Sequence, residues 1–122
     1  MYATRLTFNP STPMAVFEFS HPDKSVIVQC AIRDIGMVAA GAYEDRKRVQ
    51  KTGIRIVDAD IIEVRNVAIH NWGGNHSVGL QVQGRQLVFV ENVTILADLP
   101  ILIDKNPAIG ALRYQDAGAA RF

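Results

Sequence analysis

The chain has 122 residues, with 13 basic and 12 acidic side chains and a formal net charge of +1. This balance removes the electrostatic argument for nucleic acid or an anionic membrane as a partner, and we expect neither. A hydrophobic content of 48% is too high for intrinsic disorder and is typical of a folded domain. The single cysteine, Cys30, excludes an intrachain disulfide and is expected to be a small buried hydrophobe. Cysteine and histidine are too few for a structural zinc site, so we predict no metal and no cofactor.

Short runs rich in β-branched residues follow one another along the chain, and helical spacing is weak throughout. In chain order the runs are VFEF, SVIVQC, IRIV, LVFV and ILI. Gly, Pro, Asn and Asp stand between them, as is typical of turns. No apolar run approaches the roughly 18 residues that a membrane helix needs. No signal-peptide core is visible at the N-terminus. The pattern predicts an all-β protein.

Two segments depart from this pattern. Residues 36–53 carry a charge cluster and glycines near both ends, and we predict that they leave the repeating structure as a loop excursion. A helical turn over 42–50 is an option within it. After Asn106 the repeat is lost, so residues 107–122 are predicted to be either a capping segment or a tail severed from its continuation.

One pattern occurs three times, as QCAIRDI at 29–35, NVAIHNW at 66–72 and NVTILAD at 92–98. In each copy an amide residue is followed by apolar residues at period two, which is strand spacing. The aligned amides are Gln29, Asn66 and Asn92, and the aligned isoleucines are Ile32, Ile69 and Ile95. The amides are separated by 37 and then by 26 residues, and the difference indicates a loop insertion.

A second set of apolar positions repeats upstream of the first. The two aligned columns are Phe17, Ile54, Leu80, Ile101 and Phe19, Ile56, Val82, Ile103. Strand patterning at a repeat of this length predicts a solenoid, in which each unit is one coil resting on its neighbour. An antiparallel sandwich with accidental similarity is the alternative.

The repeated N-V-x-I segments and the aligned amides resemble right-handed parallel β-helix proteins of the pectate-lyase-like superfamily, most closely bacteriophage tailspikes. The resemblance covers residues 14–106 and implies a single-stranded, right-handed parallel β-helix of about three to four coils. Residues 1–122 would then form a single domain or a fragment of one. In that superfamily stacked asparagines form an amide ladder along the axis, and by resemblance Gln29, Asn66 and Asn92 would be its rungs.

The resemblance implies three functions. The first is a tailspike segment, on a virion tail or otherwise extracellular, that binds and can depolymerise a bacterial surface polysaccharide. The second is a pectate-lyase-like carbohydrate-active enzyme outside a virion, and the third is a structural or adhesive β-helix without catalysis. The polygalacturonase motifs Asn-Thr-Asp, Asp-Asp, Gly-His-Gly and Arg-Ile-Lys and the pectate lyase Trp-Ile-Asp-His are absent. Enzymatic activity therefore stays undecided, with hydrolysis and elimination both open.

Site residues are predicted from columns of outward side chains on stacked strands. A pair of carboxylates on one face is needed for glycan cleavage. The candidates are Asp34, Glu63 and Asp98. The saccharide-binding candidates are Arg33, His70, Trp72, Asn75 and His76.

Each of these candidates has a structural alternative. Arg33, His70 and Leu96 are predicted to share one column. Trp72 aligns with the apolar Ile35, which favours a ring buried at the edge of the core. The glycines and asparagine of 73–75 are typical of a turn that needs positive φ.

Two exposed ion pairs are predicted where opposite charges align on neighbouring strands. They are Arg65 with Glu91 and Glu18 with Arg55. A solenoid of few coils would also expose apolar side chains at both ends, and no amphipathic cap is visible. We therefore expect a homotrimer or the remainder of a larger β-helix to cover these ends.

Overall fold

The computed structural model describes residues 4–20, 27–43, 45, 47–57, 59–83, 87–104 and 119–121. The strands are β1 (Thr4–Phe8), β2 (Met14–Phe19), β3 (Ile27–Ala39), β4 (Lys51–Val57), β5 (Ala59–Trp72), β6 (Val78–Gln83), β7 (Leu87–Ala97), β8 (Leu99–Asp104) and β9 (Ala119–Arg121). No helix occurs within these ranges. The prediction of an all-β chain is confirmed.

The strands form two sheets whose orders follow the chain in alternation. Odd-numbered strands make a five-stranded sheet, β1-β3-β5-β7-β9, and even-numbered strands make a four-stranded sheet, β2-β4-β6-β8. Every strand pair within the described residues is parallel. The chain therefore crosses to the other sheet at each connection and returns one strand further along. This arrangement is consistent with a parallel β-solenoid, and the antiparallel sandwich is wrong.

The upstream apolar columns are confirmed in register. Phe17 pairs with Ile54, Ile54 with Leu80, and Leu80 with Ile101. The second column pairs in the same order from Phe19 to Ile103. Each inward side chain thus stacks on an inward side chain of the next strand.

The long strands β3, β5 and β7 each contain, near their middle, an Asp or Asn residue in the left-handed region. Asp34 has φ of 56°, and Asn66 and Asn92 both have φ of 51°. Asn and Asp tolerate this conformation better than other non-glycine residues. Strand pairing is interrupted at these three positions and resumes on the following residue, so each long strand has two arms.

A polar ladder joins these three positions. Asn66 Nδ2 donates to Asp34 Oδ1 at 2.8 Å, and Asn92 Nδ2 donates to Asn66 Oδ1, also at 2.8 Å. Asn66 and Asn92 are therefore rungs, as predicted, but the first rung is Asp34. Gln29 is not a rung. Its neighbours Val28 and Cys30 pair with Asp60 and Ile62, so the backbone of Gln29 lies several residues away from the level of Asn66.

The error in the first repeat has a simple cause in the length of one connection. Ile32 pairs with Val64 and not with Ile69, whose partner is Met37. Thirteen residues separate Phe19 from Ile32, whereas eight separate the equivalent Ile56 and Val64. The sequence alignment did not include this five-residue insertion between β2 and β3.

The core lies between the two sheets, and its side chains are most completely buried in the middle of the stack. Ile54, Ile56, Val64 and Ile69 have no exposed surface. The side chains of β8 at the end of its sheet differ, since Ile101 is 41% and Ile103 46% exposed. An end strand has a neighbour on one side only, so the predicted exposure of apolar side chains at an end is confirmed for β8.

The repeating structure extends beyond the predicted range of 14–106. β1 pairs with the second arm of β3, from Thr4 opposite Ile35 to Phe8 opposite Ala39. β9, in the predicted tail, pairs with Leu87–Phe89. The rest of the predicted tail, 107–118, lies outside the described residues.

The excursion is shorter than predicted. β3 continues to Ala39 and β4 begins at Lys51, so 36–39 and 51–53 belong to strands. Residues 40–43, 45 and 47–50 contain turns and bends, and the optional helical turn does not occur in this described part.

Candidate functional site

An open groove of about 570 Å³ crosses the first arms of three neighbouring strands, β3, β5 and β7. We call it the charged groove. It is lined by Cys30, Ala31, Arg33, Ile61, Glu63, Arg65, Phe89 and Glu91. Because parallel strands lie roughly 4.8 Å apart, side chains from the three strands stand in succession along the groove.

Four of the lining side chains form a chain of ion pairs. Arg33 Nη2 donates to Glu63 Oε2 at 2.7 Å, and Arg65 Nε lies 3.0 Å from Glu63 Oε1 and 3.2 Å from Glu91 Oε2. The predicted Arg65–Glu91 pair is confirmed, as is Arg55–Glu18 at 3.3 Å on the other sheet. Exposed pairs of this kind contribute at most about 1 kcal/mol each.

Glu63 is the most enclosed member of this chain. Its Oε1 is shielded from solvent and has no aligned hydrogen-bond donor among the described residues, although Arg65 Nε lies 3.0 Å away. The contact with Arg65 is therefore a charge interaction without hydrogen-bond geometry.

The groove also has apolar walls. Phe89 is 37% and Ile61 42% exposed, and Cys30 is half-buried against the core. Ile61 has φ of 58°, which is a strained conformation for a β-branched residue. Such strain is concentrated at functional sites in many proteins. Cys30, expected to be a small buried hydrophobe, packs against the core but is only half-buried, because it also lines the groove.

The structure brings together two of the predicted site residues, Arg33 and Glu63. Arg33 pairs in register with Arg65 and not with His70, so the predicted alignment of Arg33 with His70 is wrong. His70 is exposed on the second arm of β5, opposite Val38. The groove therefore contains one of the predicted saccharide-binding residues.

Trp72 is fully buried, with its ring 6.0 Å from that of Phe8 in an edge-to-face contact. In the sheet, Trp72 pairs with Ala97, whereas Ile35 pairs with Val67. Trp72 and Ile35 are therefore not aligned, contrary to the prediction. The interpretation of a core ring is confirmed, although the alignment behind it was wrong. A buried ring offers no face on which a sugar could stack.

The other two carboxylate candidates lie apart from the groove's lining. Asp34 accepts the ladder hydrogen bond from Asn66, which gives it a structural role. Asp98 is exposed beyond the end of β7 and acts electrostatically on Lys51. Glu63 is thus the candidate carboxylate that the groove contains. Glu91, which the sequence predicts as an ion-pair partner of Arg65 and not as a site residue, also lines the groove.

The turn after β5 is tied to the excursion by hydrogen bonds. Arg48 donates to the carbonyl oxygens of Asn71 at 2.8 Å and Ala40 at 2.9 Å. Asn71 Nδ2 donates to the carbonyl oxygens of Ala39 and Gly41, both at 2.7 Å. These contacts hold the end of β5 against the excursion, so Asn71 acts as part of the scaffold.

Asn75 and His76 are exposed at the tip of this turn, and both have φ of 56°. Gly74 has φ of 85°, so the predicted positive φ is confirmed at Gly74 and Asn75. Ser77 is buried, and its hydroxyl donates to the Gly74 carbonyl oxygen at 2.8 Å. The exposed side chains of the turn are separate from the charged groove's lining.

Lys51 is the buried cation at the base of the excursion. Burial, reinforced by the nearby Arg48 and opposed by Asp98, lowers the pKa of Lys51 from its ordinary value of 10.5. Its ammonium donates to the carbonyl oxygens of Val49 and Gly73 at 3.4 Å, which is long for a hydrogen bond. The charge is therefore poorly compensated.

We expect Lys51→Met to raise the melting temperature by a few degrees at neutral pH, because it removes a buried charge and keeps the apolar stem. Between its lowered pKa and 10.5, the unfolded chain keeps a proton that the folded chain has lost. Wild-type stability should therefore rise with pH in that window. Urea unfolding between about pH 8 and pH 10 measures this rise. A slope that persists in Lys51→Met would contradict it.

Within the described residues, no group of three or more His, Cys, Asp or Glu side chains is placed to hold a metal ion. The described part of the chain also has no helix with the length and apolarity needed to cross a membrane. Comparison with protein-family models, curated proteins and solved structures gave no match.

Proposed function

We propose that the chain is part of a right-handed parallel β-helix of the tailspike type that binds a bacterial surface polysaccharide in the charged groove. The observation that carries the proposal is the groove itself, an open channel across three strands that combines an exposed aromatic ring with arginine and glutamate side chains. The parallel sheets and the Asp34–Asn66–Asn92 ladder support the β-helix part.

The lining suits a carbohydrate because a sugar has both an apolar face and hydroxyl groups. The ring of Phe89 can stack on a sugar face, and Arg33 and Glu91 can exchange hydrogen bonds with hydroxyls. The side chains of Arg33 and Glu91 are 52% and 69% exposed, so their polar atoms can form hydrogen bonds with a ligand in the groove. An open groove admits a continuous polymer, which an enclosed pocket would not.

The charge of the groove favours a neutral glycan. Its two arginines and two glutamates cancel, and the ion pairs that join them leave no surplus of either sign. A strongly acidic polymer would have to displace Glu63 and Glu91 from their arginine partners. This is the reason to prefer a neutral surface polysaccharide over pectate.

We expect Phe89→Ala and Arg33→Ala each to weaken binding of the cognate polysaccharide about tenfold, equal to roughly 1.4 kcal/mol. Isothermal titration calorimetry against purified O-antigen and capsule fragments measures the affinity. Arg55→Ala is the matched control, because it removes an arginine from an equivalent ion pair, with Glu18, on the other sheet. Equal losses in all three variants would count against the groove.

Cleavage is tested on the same polysaccharides. Release of reducing ends reports hydrolysis, and ultraviolet absorbance of an unsaturated product reports elimination. A cleaving groove would lose activity in Glu63→Gln and keep it in Asp34→Asn, since Asp34 serves the ladder. Binding without product in the wild type would leave an adhesive role for the chain.

Assembly belongs to the same proposal. Leu99, Ile101 and Ile103 on β8, the last described strand of its sheet, and Leu96 on β7 are 40% to 54% exposed. A homotrimer or the remainder of a larger β-helix would cover them, as the resemblance to tailspikes implies. The proposed location is a virion tail or otherwise extracellular.

A further inference from the structure

A second cavity, of about 280 Å³, lies between the end of β1 and the excursion. Its walls include Phe8, Asn9, Asp45, Lys47, Arg48 and Lys51. Asn9, Asp45 and Lys47 are exposed, so the cavity opens to solvent, whereas Lys51 on its inner wall is only 3% exposed. The inner wall of a cavity that opens to solvent thus includes a buried lysine.

The inner wall is rich in hydrogen-bond donors and poor in acceptors. The two acceptors of the Lys51 ammonium, the carbonyl oxygens of Val49 and Gly73, are both 3.4 Å away. The ammonium lies 5.9 Å from the centre of the Trp72 ring, whose Nε1 is buried with no acceptor among the described residues. Buried donors in proteins are almost always paired, so the Lys51 ammonium keeps unused capacity as a donor among the described residues.

The charges on the walls favour a negative ligand. Among the described residues of the walls, the three cations Lys47, Arg48 and Lys51 face one carboxylate, that of Asp45. The guanidinium of Arg48 is committed to the carbonyl oxygens of Ala40, Ala42 and Asn71. Arg48 therefore fixes the wall and contributes positive charge, while Lys51 keeps capacity for a strong hydrogen bond.

We infer that this cavity binds a small oxyanion group, a carboxylate or a phosphate, through the ammonium of Lys51. An anionic oxygen would form a short, charge-assisted hydrogen bond in place of the two long ones to carbonyl oxygens. It would also neutralise a cation that is buried without a carboxylate within ion-pair distance in the described residues. The anion can be free in solution or be an acidic substituent on a sugar.

The test uses Trp72, which is the single tryptophan of the chain. Sodium acetate and sodium phosphate are titrated at constant ionic strength against sodium chloride, and the tryptophan fluorescence and the indole N–H signal in a nitrogen–proton correlation spectrum are followed. We expect a saturable change with acetate or phosphate at millimolar concentration and no saturation with chloride. A linear response to all three salts would overturn the inference.

Lys51→Met should weaken the response at least tenfold, whereas Arg33→Met, which removes the same charge from the other groove, should leave it within twofold. The dispersion of the same spectrum shows whether each variant is folded. An unchanged response in folded Lys51→Met would overturn the site. Glucuronate against acetate separates the two sources, since a bound acidic sugar should exceed acetate in affinity and a free anion site should not distinguish them.

Discussion

Gly79→Ala is expected to destabilise the chain by more than about 3 kcal/mol, at the upper end of the range for overpacked cores. A β-carbon at this position would lie 2.3 Å from Ile95 Cγ2 and 2.7 Å from the carbonyl oxygen of Pro100. The first contact is with a core side chain and the second with the backbone of the next strand. Neither can move without disturbing the stack. Urea unfolding followed by circular dichroism measures the loss.

The same close approach occurs one strand earlier, so it belongs to the repeat. A β-carbon on Gly53 would lie 2.6 Å from the carbonyl oxygen of Gly79 and 3.1 Å from Ile69 Cδ1. The two glycines lie opposite each other in β4 and β6, and each leaves room for an isoleucine of the other sheet. The paired sheets thus interlock through a missing side chain on one and a bulky side chain on the other.

Gly41→Ala is the control for the loss of a glycine as such. Gly41 lies in the excursion with φ of 90°, and its nearest neighbour to an added β-carbon is Arg48 Nε at 3.9 Å. We expect only the strain of an unfavourable φ, about 1 kcal/mol. A loss for Gly79→Ala no larger than that for Gly41→Ala would contradict the interlocked packing.

The apolar columns and the two ion pairs could be predicted from sequence because both follow from spacing. An inward residue in a parallel stack must rest on an inward residue, so a constant offset of 26 residues between Ile54 and Leu80 identifies neighbours. The same offset aligns Arg65 with Glu91. The glycines and isoleucines that interlock repeat at the same offset, as Gly53 with Gly79 and Ile69 with Ile95. This repeat is a signal in the sequence that the predictions did not use.

The pattern of amides predicts the first rung wrongly because it depends on residue type and not on conformation. It predicts Gln29, which carries an amide, but the position requires a residue that tolerates positive φ and offers an oxygen to the next rung. Asp34 meets both requirements, and glutamine has no such preference for the left-handed region. Without the length of the connection before β3, spacing alone could not correct the choice.

The charged groove could not be predicted as a unit for the same reason. Arg33 and Glu63 were both singled out, but their contact depends on the register of β3 against β5, which was misaligned by five residues. In the sequence, Phe89 and Ile61 look like ordinary strand residues. Their place in the groove is apparent only when the three strands lie side by side. Outward exposure of an apolar residue is a property of the assembled sheet and has no local pattern.

Asn66→Ala is expected to destabilise the chain by about 2 to 3 kcal/mol, because Asn66 is the central rung of the ladder. The substitution removes the bond donated to Asp34 and the bond accepted from Asn92, each worth roughly 1 kcal/mol or less. It also places a residue with a β-carbon and no polar side chain at φ of 51°. Chemical denaturation measures the sum.

Two further substitutions at the same position separate these contributions. Asn66→Gly loses both bonds but adopts the left-handed conformation freely, so it should be more stable than Asn66→Ala by about 1 kcal/mol. Asn66→Asp keeps the shape and the oxygen that accepts from Asn92, but it sets a carboxylate against Asp34. Its stability should be low at neutral pH and recover in acid, where the two carboxyl groups can share a proton. If Asn66→Gly were as stable as the wild type and Asn66→Asp showed no dependence on pH, the ladder would contribute backbone shape alone, and the hydrogen bonds between Asp34, Asn66 and Asn92 would add nothing.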